Sequence, residues 1–423
     1  MPGRGVEPPR LFKGHQNLNL TCIPFHHPGL CCYYTQSLSA FRVYCAGERD
    51  RTSTPLLGQT SEACAYTSSA TPALVYCIIL GMTATATIKK YPYQQKIVTF
   101  GGGTGHFSLL RGLVELNQPD LISAVVGTWD SGGSSGRLRT ELGILPPGDF
   151  RQCLLALMED TKQRQVAQKL FDDRLEEVSG PLKGHSLGNL ITARLEHIYK
   201  GADRGTEAER LLFRIRARVL PVSLTDLNLI AKLEGGAEIE GETNIDLRAE
   251  SKTYDPKHKI MRIYFDTNAD PNQEVIQAIN EADKIIFSAG DLFTSVLPHL
   301  LVNGVKEAIL TSQAKVILVL NLMTKMGETD SYKASDYLKA FISYLEDKNR
   351  ISYIIANSNG LNPEILEIYK KEGQEPVRVD EKTCLDLSPN IKIIMTKLGL
   401  YHIREHLLRH DPVALATSIL DLK

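Results

Sequence analysis

What this chain lacks narrows it first. No apolar run reaches the roughly 18–20 residues that a membrane span requires. The best candidate, residues 73–82, is too short and contains Tyr76 and Cys77. Neither sign of charge dominates: 48 basic residues face 49 acidic ones, for a net charge of −1. A broad nucleic-acid or polyanion surface is therefore not expected. Internal repeats and low-complexity stretches are missing. Cysteine is scarce beyond residue 80, where only Cys153 and Cys384 remain of eight. That portion reads as a reduced, cytoplasmic protein without a disulfide framework. Residues 6–30 lack the uninterrupted apolar segment of a secretory signal. A hydrophobic content of 43% over 423 residues nevertheless suffices for a large core.

The first 90 residues show no sustained helical or strand period and hold the other six cysteines. His26, His27, Cys31 and Cys32 lie close in sequence, but adjacent pairs lack the spacing of a zinc site. The stretch from Cys45 to Pro55, CAGERDRTSTP, resembles the peptide obtained when a tRNA gene is read as coding sequence. Residues 1–93 are accordingly expected to be a disordered or spurious extension, with Met82 as the true start.

Two glycine-rich loops dominate the rest. Gly101-Gly102-Gly103-Thr104-Gly105 follows the apolar stretch Ile97–Phe100, and Asp130-Ser131-Gly132-Gly133-Ser134-Ser135-Gly136-Arg137 follows Ile122–Val126. Such loops let backbone N–H groups converge without Cβ atoms in the way, and phosphates are the usual anions bound there. The first loop is not GxGxxG, since position 106 is His, and no Gly-Lys-Ser/Thr follows as in a Walker loop. The alternative is a plain strand-to-helix turn. Residues 107–116 carry a helical apolar period, so the first loop joins a β-α-β unit. Asp149 is placed to cap a helix carrying Cys153, Leu154, Leu157 and Met158. Residues 161–216 read as polar helices and 219–268 as short strands, a β-rich insertion over about 161–268. Strand-helix alternation resumes with helices over 272–282, 300–312 and 334–346, and the chain closes with a strand over 391–395 and a helix over 412–420. The fold class expected is α/β, a Rossmann-like three-layer sandwich with a mostly parallel sheet and helices on both faces.

Polar residues recur just after the strands. Asp130 is suited to a Mg²⁺ ion or a sugar hydroxyl, and Ser134, Ser135 and Arg137 to an anion. His185 and Asn189 precede an apolar helix, where the histidine serves as a general acid, a phosphate ligand or merely a cap. Gly290, Asp291, Thr294 and Ser295 follow a later strand, and Asn321, Thr324 and Glu328 the next. Together they form the polar edge that an α/β active site needs.

GGGTG, DSGGSSGRLR, LGILPPGDFRQCLLAL, GHSLGN, GDLFTSVLPHLLV, NLMTKMGET and a closing HDPVALA occur in the order seen in the CofD/YvcK-like family, which residues 95–423 resemble. LPPGD and His410-Asp411-Pro412 look like the YvcK branch, the gluconeogenesis factors. The resemblance implies a phosphate site built from the first two loops and the GDLFTS segment. It assigns Gly101 to Gly105, Asp130, Gly132 to Arg137, His185, Asn189, Gly290, Thr294, Ser295, Asn321 and Thr324 to nucleotide binding. The CofD branch implies magnesium-dependent phospholactyl transfer to a deazaflavin precursor. The YvcK branch implies UDP-sugar binding, with effects on cell shape, envelope and gluconeogenic growth, and no firm reaction. Mg²⁺ is the one cofactor expected, with no organic one; a homodimer is expected as well.

Three departures stand out. The usual Asp-Asp-Gly-Gly is Asp130-Ser131-Gly132-Gly133, one carboxylate fewer, which argues against transferase chemistry. The usual GPGSLYTS is Ser288-Ala289-Gly290-Asp291-Leu292-Phe293-Thr294-Ser295, so Asp291 must point away from a phosphate or hold a cation. The usual Asp-His-Ile is Asp336-Tyr337-Leu338. A chain shortened to begin at Met82 is expected to melt at the temperature of the full chain; a large drop in scanning calorimetry would show that the removed residues carry packed structure.

Overall fold

The computed structural model describes residues 91–358, 360–402 and 407–423, together with the backbone of 21–24, 31–37 and 40–46. The chain divides into two compact units, Met1–Ile88 and Lys89–Lys423. In the first, strands β1 (Thr21–Pro24), β2 (Cys31–Ser37) and β3 (Ala40–Ala46) pair antiparallel in that order, where no strand period is legible in the sequence. The Met82 start and most of the tRNA-like peptide fall outside the described residues. The second unit starts slightly earlier than the expected residue 94: Tyr91 is buried and Tyr93 bridges to Asn117.

The second unit runs β4 (Ile97–Phe100), α1 (Gly103–Leu116), β5 (Ile122–Val126), α2 (Gly133–Leu142), α3 (Gly148–Leu157), α4 (Thr161–Asp172), α5 (Leu187–Tyr199), α6 (Ala202–Leu212) and β6 (Arg218–Pro221). There follow β7 (Leu229–Leu233), β8 (Glu238–Glu240), α7 (Glu242–Asp246), β9 (Ile260–Phe265), α8 (Gln273–Glu281), β10 (Lys284–Phe287), α9 (Val305–Thr311) and β11 (Lys315–Val319). The chain ends with α10 (Ala334–Leu345), β12 (Ile351–Asn357), α11 (Pro363–Lys371), α12 (Glu381–Leu387), β13 (Lys392–Thr396), β14 (Gly399–His402), β15 (Leu407–His410) and α13 (Pro412–Leu420).

Seven strands form one parallel sheet in the order β13-β12-β11-β10-β4-β5-β6. Its central strands are short apolar runs because both faces are covered, as parallel sheets require. Alternate residues serve opposite layers. Val98, Phe100, Ile285 and Phe287 face the layer that includes Val275, Val305 and Phe341. Ile97, Ile286, Ile317 and Ile355 face the layer that includes Leu109, Leu113, Leu154 and Leu415. Each such fully buried Leu, Ile or Phe is worth about 1.5–3 kcal/mol of burial. The backbones of α1 and α13 meet at Gly112, where a Cβ would stand 1.8 Å from the Pro412 carbonyl oxygen. Asp411 caps α13 by accepting from Ala414 N–H, and the buried Lys284 ammonium donates to the Ile419 and Leu420 carbonyls at its other end.

The three-layer expectation holds, with local differences. The strand at Val219 joins the main sheet as its parallel edge β6, and only β7, β8 and β9 form the small antiparallel sheet. The helix expected over 300–312 is split by a left-handed turn at Gly304 (φ 76°) into a 3-10 turn, Leu297–Leu301, and α9. The second glycine loop opens α2, and α11, α12 and the β14–β15 hairpin are further additions. Asp149 lies inside the first turn of α3, whose N-cap is Pro147, so it does not cap that helix.

Helices α5 and α6 pack together and bury Glu209, whose carboxyl oxygens have no hydrogen bond of ordinary length. Burial pushes its pKa up to about 7, moderated by Thr192 and Arg151. The folded state therefore keeps a proton that the unfolded chain has lost, and stability falls as pH rises from the ordinary carboxyl range through about 7. Glu209→Gln is expected to add roughly 3 kcal/mol of stability at pH 8 and almost none at pH 4, measured by urea denaturation at both values.

Candidate functional site at the carboxyl edge of the sheet

The order of the seven strands reverses direction between β4 and β10, and the chain leaves these two strands toward opposite layers, the place at which open α/β sheets form a crevice. The first glycine loop forms one wall. A Cβ at Gly101 would meet Ser288 Oγ at 2.0 Å, and one at Gly105 would meet the Ala289 carbonyl oxygen at 2.0 Å. These glycines let the two loops touch. Gly103 differs: its φ is +61° and a Cβ there would meet nothing within 4 Å. Gly133, in the second loop, repeats this pattern with φ +48° and open space. Each opens a helix, α1 or α2, whose first N–H groups are unpaired within the helix. Thr104 is exposed beside Gly103.

One anion already sits at the first loop. Asp149 Oδ1 accepts from Gly103 N–H at 3.1 Å, and a Cβ on Gly102 would lie 2.4 Å from Asp149 Oδ2. Asp130 accepts from Gly132 N–H at 2.8 Å. Burial, then Asp130, pushes Asp149 up to about 7; burial also raises Asp130. Two carboxylates thus share one electrostatic environment. A second carboxyl group thus reaches the field of Asp130 from another element, although position 131 is Ser. Asp130 and Asp149 fit a Mg²⁺ ion whose remaining ligands are phosphates and waters.

The insertion adds a second wall. Ser131 Oγ accepts from Thr243 N–H at 3.0 Å, which places α7 over the second loop. Burial, then Asp130 and Asp246, raises Glu242 to about 8. Beyond it stand Asp246, Asp291 and Glu328, with Lys325 among them. Lys325 Nζ lies 2.8 Å from Asp291, so Asp291 does hold a cation. Glu242, Asp246 and Lys325 were not legible as site residues. Their positions follow from how the insertion folds back, and no local motif announces that.

Helix α5 meets α2 end to end. His185 Nδ1 is 3.0 Å from Ser134 Oγ, and Asn189 Nδ2 donates to Ser135 Oγ at 3.3 Å. Burial and Arg137 lower the His185 pKa. The Arg137 guanidinium itself reaches the Lys183 carbonyl. Other expected residues lie at the edge with their polar groups already engaged. Asn321 clamps Gly290, accepting from its N–H and donating to its carbonyl, both at 2.9 Å. Thr294 donates to Glu328, and its carbonyl accepts from the sole tryptophan, Trp129. Thr324 Oγ1 accepts from Glu375 N–H. Gly290 and Ser295 stay beside the crevice, each partly exposed.

Two glycine loops and buried carboxyl groups at the switch point of a mostly parallel sheet define a Rossmann-like α/β protein. Residues 97–398 match the model of the family described as 2-phospho-L-lactate transferase CofD, and the chain belongs to that family. A Thermotoga maritima protein carrying a gluconeogenesis-factor description is 40% identical over 328 residues, 77% of this chain and 98% of that one. The gluconeogenesis factor of Bacillus subtilis is 35% identical over 330 residues, covering 78% and 98%. A crystal structure of a Bacillus halodurans protein superposes with a TM-score of 0.70 at 36% identity, over 78% of this chain and 100% of that one. Among the described residues, no helix is long and apolar enough to cross a membrane.

Burial, then Asp130, raises Asp149 to about 7, so its proton is lost as pH rises through that value, and the buried charge beside Asp130 then costs stability. Asp149→Asn keeps the acceptor for Gly103 but not the charge. It is expected to melt higher than the unmodified protein at pH 8 in EDTA, and to lose any rise in melting temperature on adding MgCl₂.

Proposed function

We propose that this chain is a nucleotide-sugar-binding regulatory factor of the kind its gluconeogenesis-factor relatives represent, acting in gluconeogenic growth, cell envelope and cell shape. The observation that carries the reading is the pair of open glycines, Gly103 and Gly133, at the N-termini of two helices beside the switch point. A pyrophosphate spanning α1 and α2 would meet two helix dipoles and the N–H groups of both helix starts, replacing Asp149 at Gly103 N–H or bridging to it through a cation. Ser134, Ser135, Gly132, Gly136, His185 and Asn189 line the second of these ends, and Gly290 and Ser295 the facing loop. Asp130 is suited to a ribose or sugar hydroxyl. A homodimer in the cytoplasm belongs to the same reading.

A second reading has its own support. The Asp130–Asp149 pair can hold Mg²⁺ against phosphates, as a CofD-type phospholactyl transferase would need. The ion would supply charge neutralisation at a leaving phosphate. The residues present would orient the nucleotide through the glycine-loop N–H groups and exclude water under α7. The two readings part on whether a bound nucleotide survives.

With labelled UDP-glucose, the binding factor returns the ligand unchanged, and Asp130→Asn weakens binding only modestly with no change in magnesium response. Magnesium-dependent release of a nucleotide monophosphate, lost in Asp130→Asn, would establish the transferase instead. Gly103→Val is expected to lower affinity at least about tenfold, or 1.4 kcal/mol. Unchanged binding by a variant with an intact circular-dichroism spectrum would reduce the first loop to a turn.

A further inference from the structure

The far side of the crevice, away from Asp130, has a charge arrangement of its own. Asp246 on α7, Asp291 after β10 and Glu328 after β11 each bring one oxygen to within 4.8 Å of the others. Three carboxylates at that spacing make an oxygen cage of divalent-cation size. A cation already occupies it. The Lys325 ammonium is 2.8 Å from Asp291 Oδ2 and pairs also with Asp246 Oδ1. Its side chain is only 26% exposed. Burial alone would lower its pKa, but Asp291, Glu328 and Asp246 outweigh that and keep it charged.

The cage is rigid. Glu328 accepts from Phe293 N–H at 2.9 Å and from the Thr294 hydroxyl at 2.7 Å, so its carboxylate is fixed before any ion arrives. Lys325 N–H donates to Thr329 Oγ1 at 2.8 Å, and Arg248 donates to the Gly327 and His258 carbonyls, which ties the β11 loop to the insertion. Burial raises the pKa of the Tyr337 hydroxyl, moderated by Thr329, and Glu328 and Asp291 add to the rise, so it lies in the field of the cage.

We propose that Lys325 is the resident cation of the Asp246–Asp291–Glu328 cage, standing where a divalent ion would otherwise bind, and that removing it opens the cage to such an ion. A divalent ion entering the unmodified protein must displace an ammonium held by two ion pairs. Without Lys325, three clustered carboxyl groups face one another with no counter-charge, and a hard divalent cation, which favours their deprotonated forms, is the ligand that cancels them.

The test uses Mn²⁺ alone, followed by electron paramagnetic resonance and titration calorimetry at pH 8. Lys325→Ala is expected to bind one Mn²⁺ more than the unmodified protein, and Lys325→Ala combined with Asp291→Asn to lose it again. Lys325→Arg, which keeps the charge, is expected to match the unmodified protein. If Lys325→Ala folds only in Mn²⁺, that dependence supports the proposal. If it folds in neither condition, Lys325→Gln takes its place in the titration. Mn²⁺ uptake by the folded neutral variant no greater than by the unmodified protein overturns the proposal. So does a Mn²⁺ site in the unmodified protein that Asp291→Asn abolishes. UDP-glucose binding is measured separately, so its failure would count against the proposed function and leave the cage result standing.

Discussion

The constraint on which the site depends is the crowding of like charge. Asp130, Asp149, Glu242, Asp246, Asp291 and Glu328 converge on one edge of the sheet, and burial, the leading cause, raises the pKa of Asp130, Asp149, Glu242, Asp291 and Glu328. An arrangement of this kind persists only if each negative charge is protonated, paired or aimed at donors. All three devices are present. Asp130 and Asp149 accept from glycine N–H groups at the starts of α2 and α1. Lys325 pairs with Asp246 and Asp291. Glu242 and Glu328 are driven toward their protonated forms. The edge is therefore loaded with unfavourable electrostatics that a bound cation or a ligand bearing hydrogen-bond donors relieves.

Fold and site are linked through backbone contact at the switch point. Gly101 and Gly105 allow the loop after β4 to rest on Ser288 and Ala289, which end the β10 segment. Asn321 then holds Gly290, and Thr294 and Glu328 lock the turn that follows. The side chains nearest the crevice are thus fixed by groups whose own polar atoms are spent on the protein. Gly103, Gly133 and exposed Thr104 remain open to a partner. The insertion is fixed as well: Leu229, Ala231, Ile245 and Ile263 join the same apolar layer as Trp129 and Phe287.

Much of this was legible in the sequence. The central strands are short apolar runs, so the parallel sheet and its polar edge follow from Ile97–Phe100, Ile122–Val126 and Lys284–Phe287. The sequence presents Asp149 as a helix cap, because a carboxylate two residues after a proline pair looks local. Its real partner, Gly103, is 46 residues away. Glu242 and Asp246 were hidden for the same reason: their role comes from the way the β7–β9 sheet folds back over Ser131, a tertiary contact that no period encodes. Helices α11 and α12 escape a reading by period because they are short, nine and seven residues. Residue spacing reports the layer a side chain belongs to, and it is silent on which distant loop that side chain will meet.

The central claim is that the edge between β4 and β10 is a phosphate cradle built on Gly103 and Gly133. A crystal structure of the protein grown with UDP-glucose tests it most directly. The account expects the pyrophosphate oxygens to accept hydrogen bonds from the N–H groups at the starts of α1 and α2, with Asp149 moved from Gly103 or bridged to the phosphates by a cation. A nucleotide bound elsewhere, with the Gly103–Asp149 contact intact and no density between the two helix ends, would contradict it.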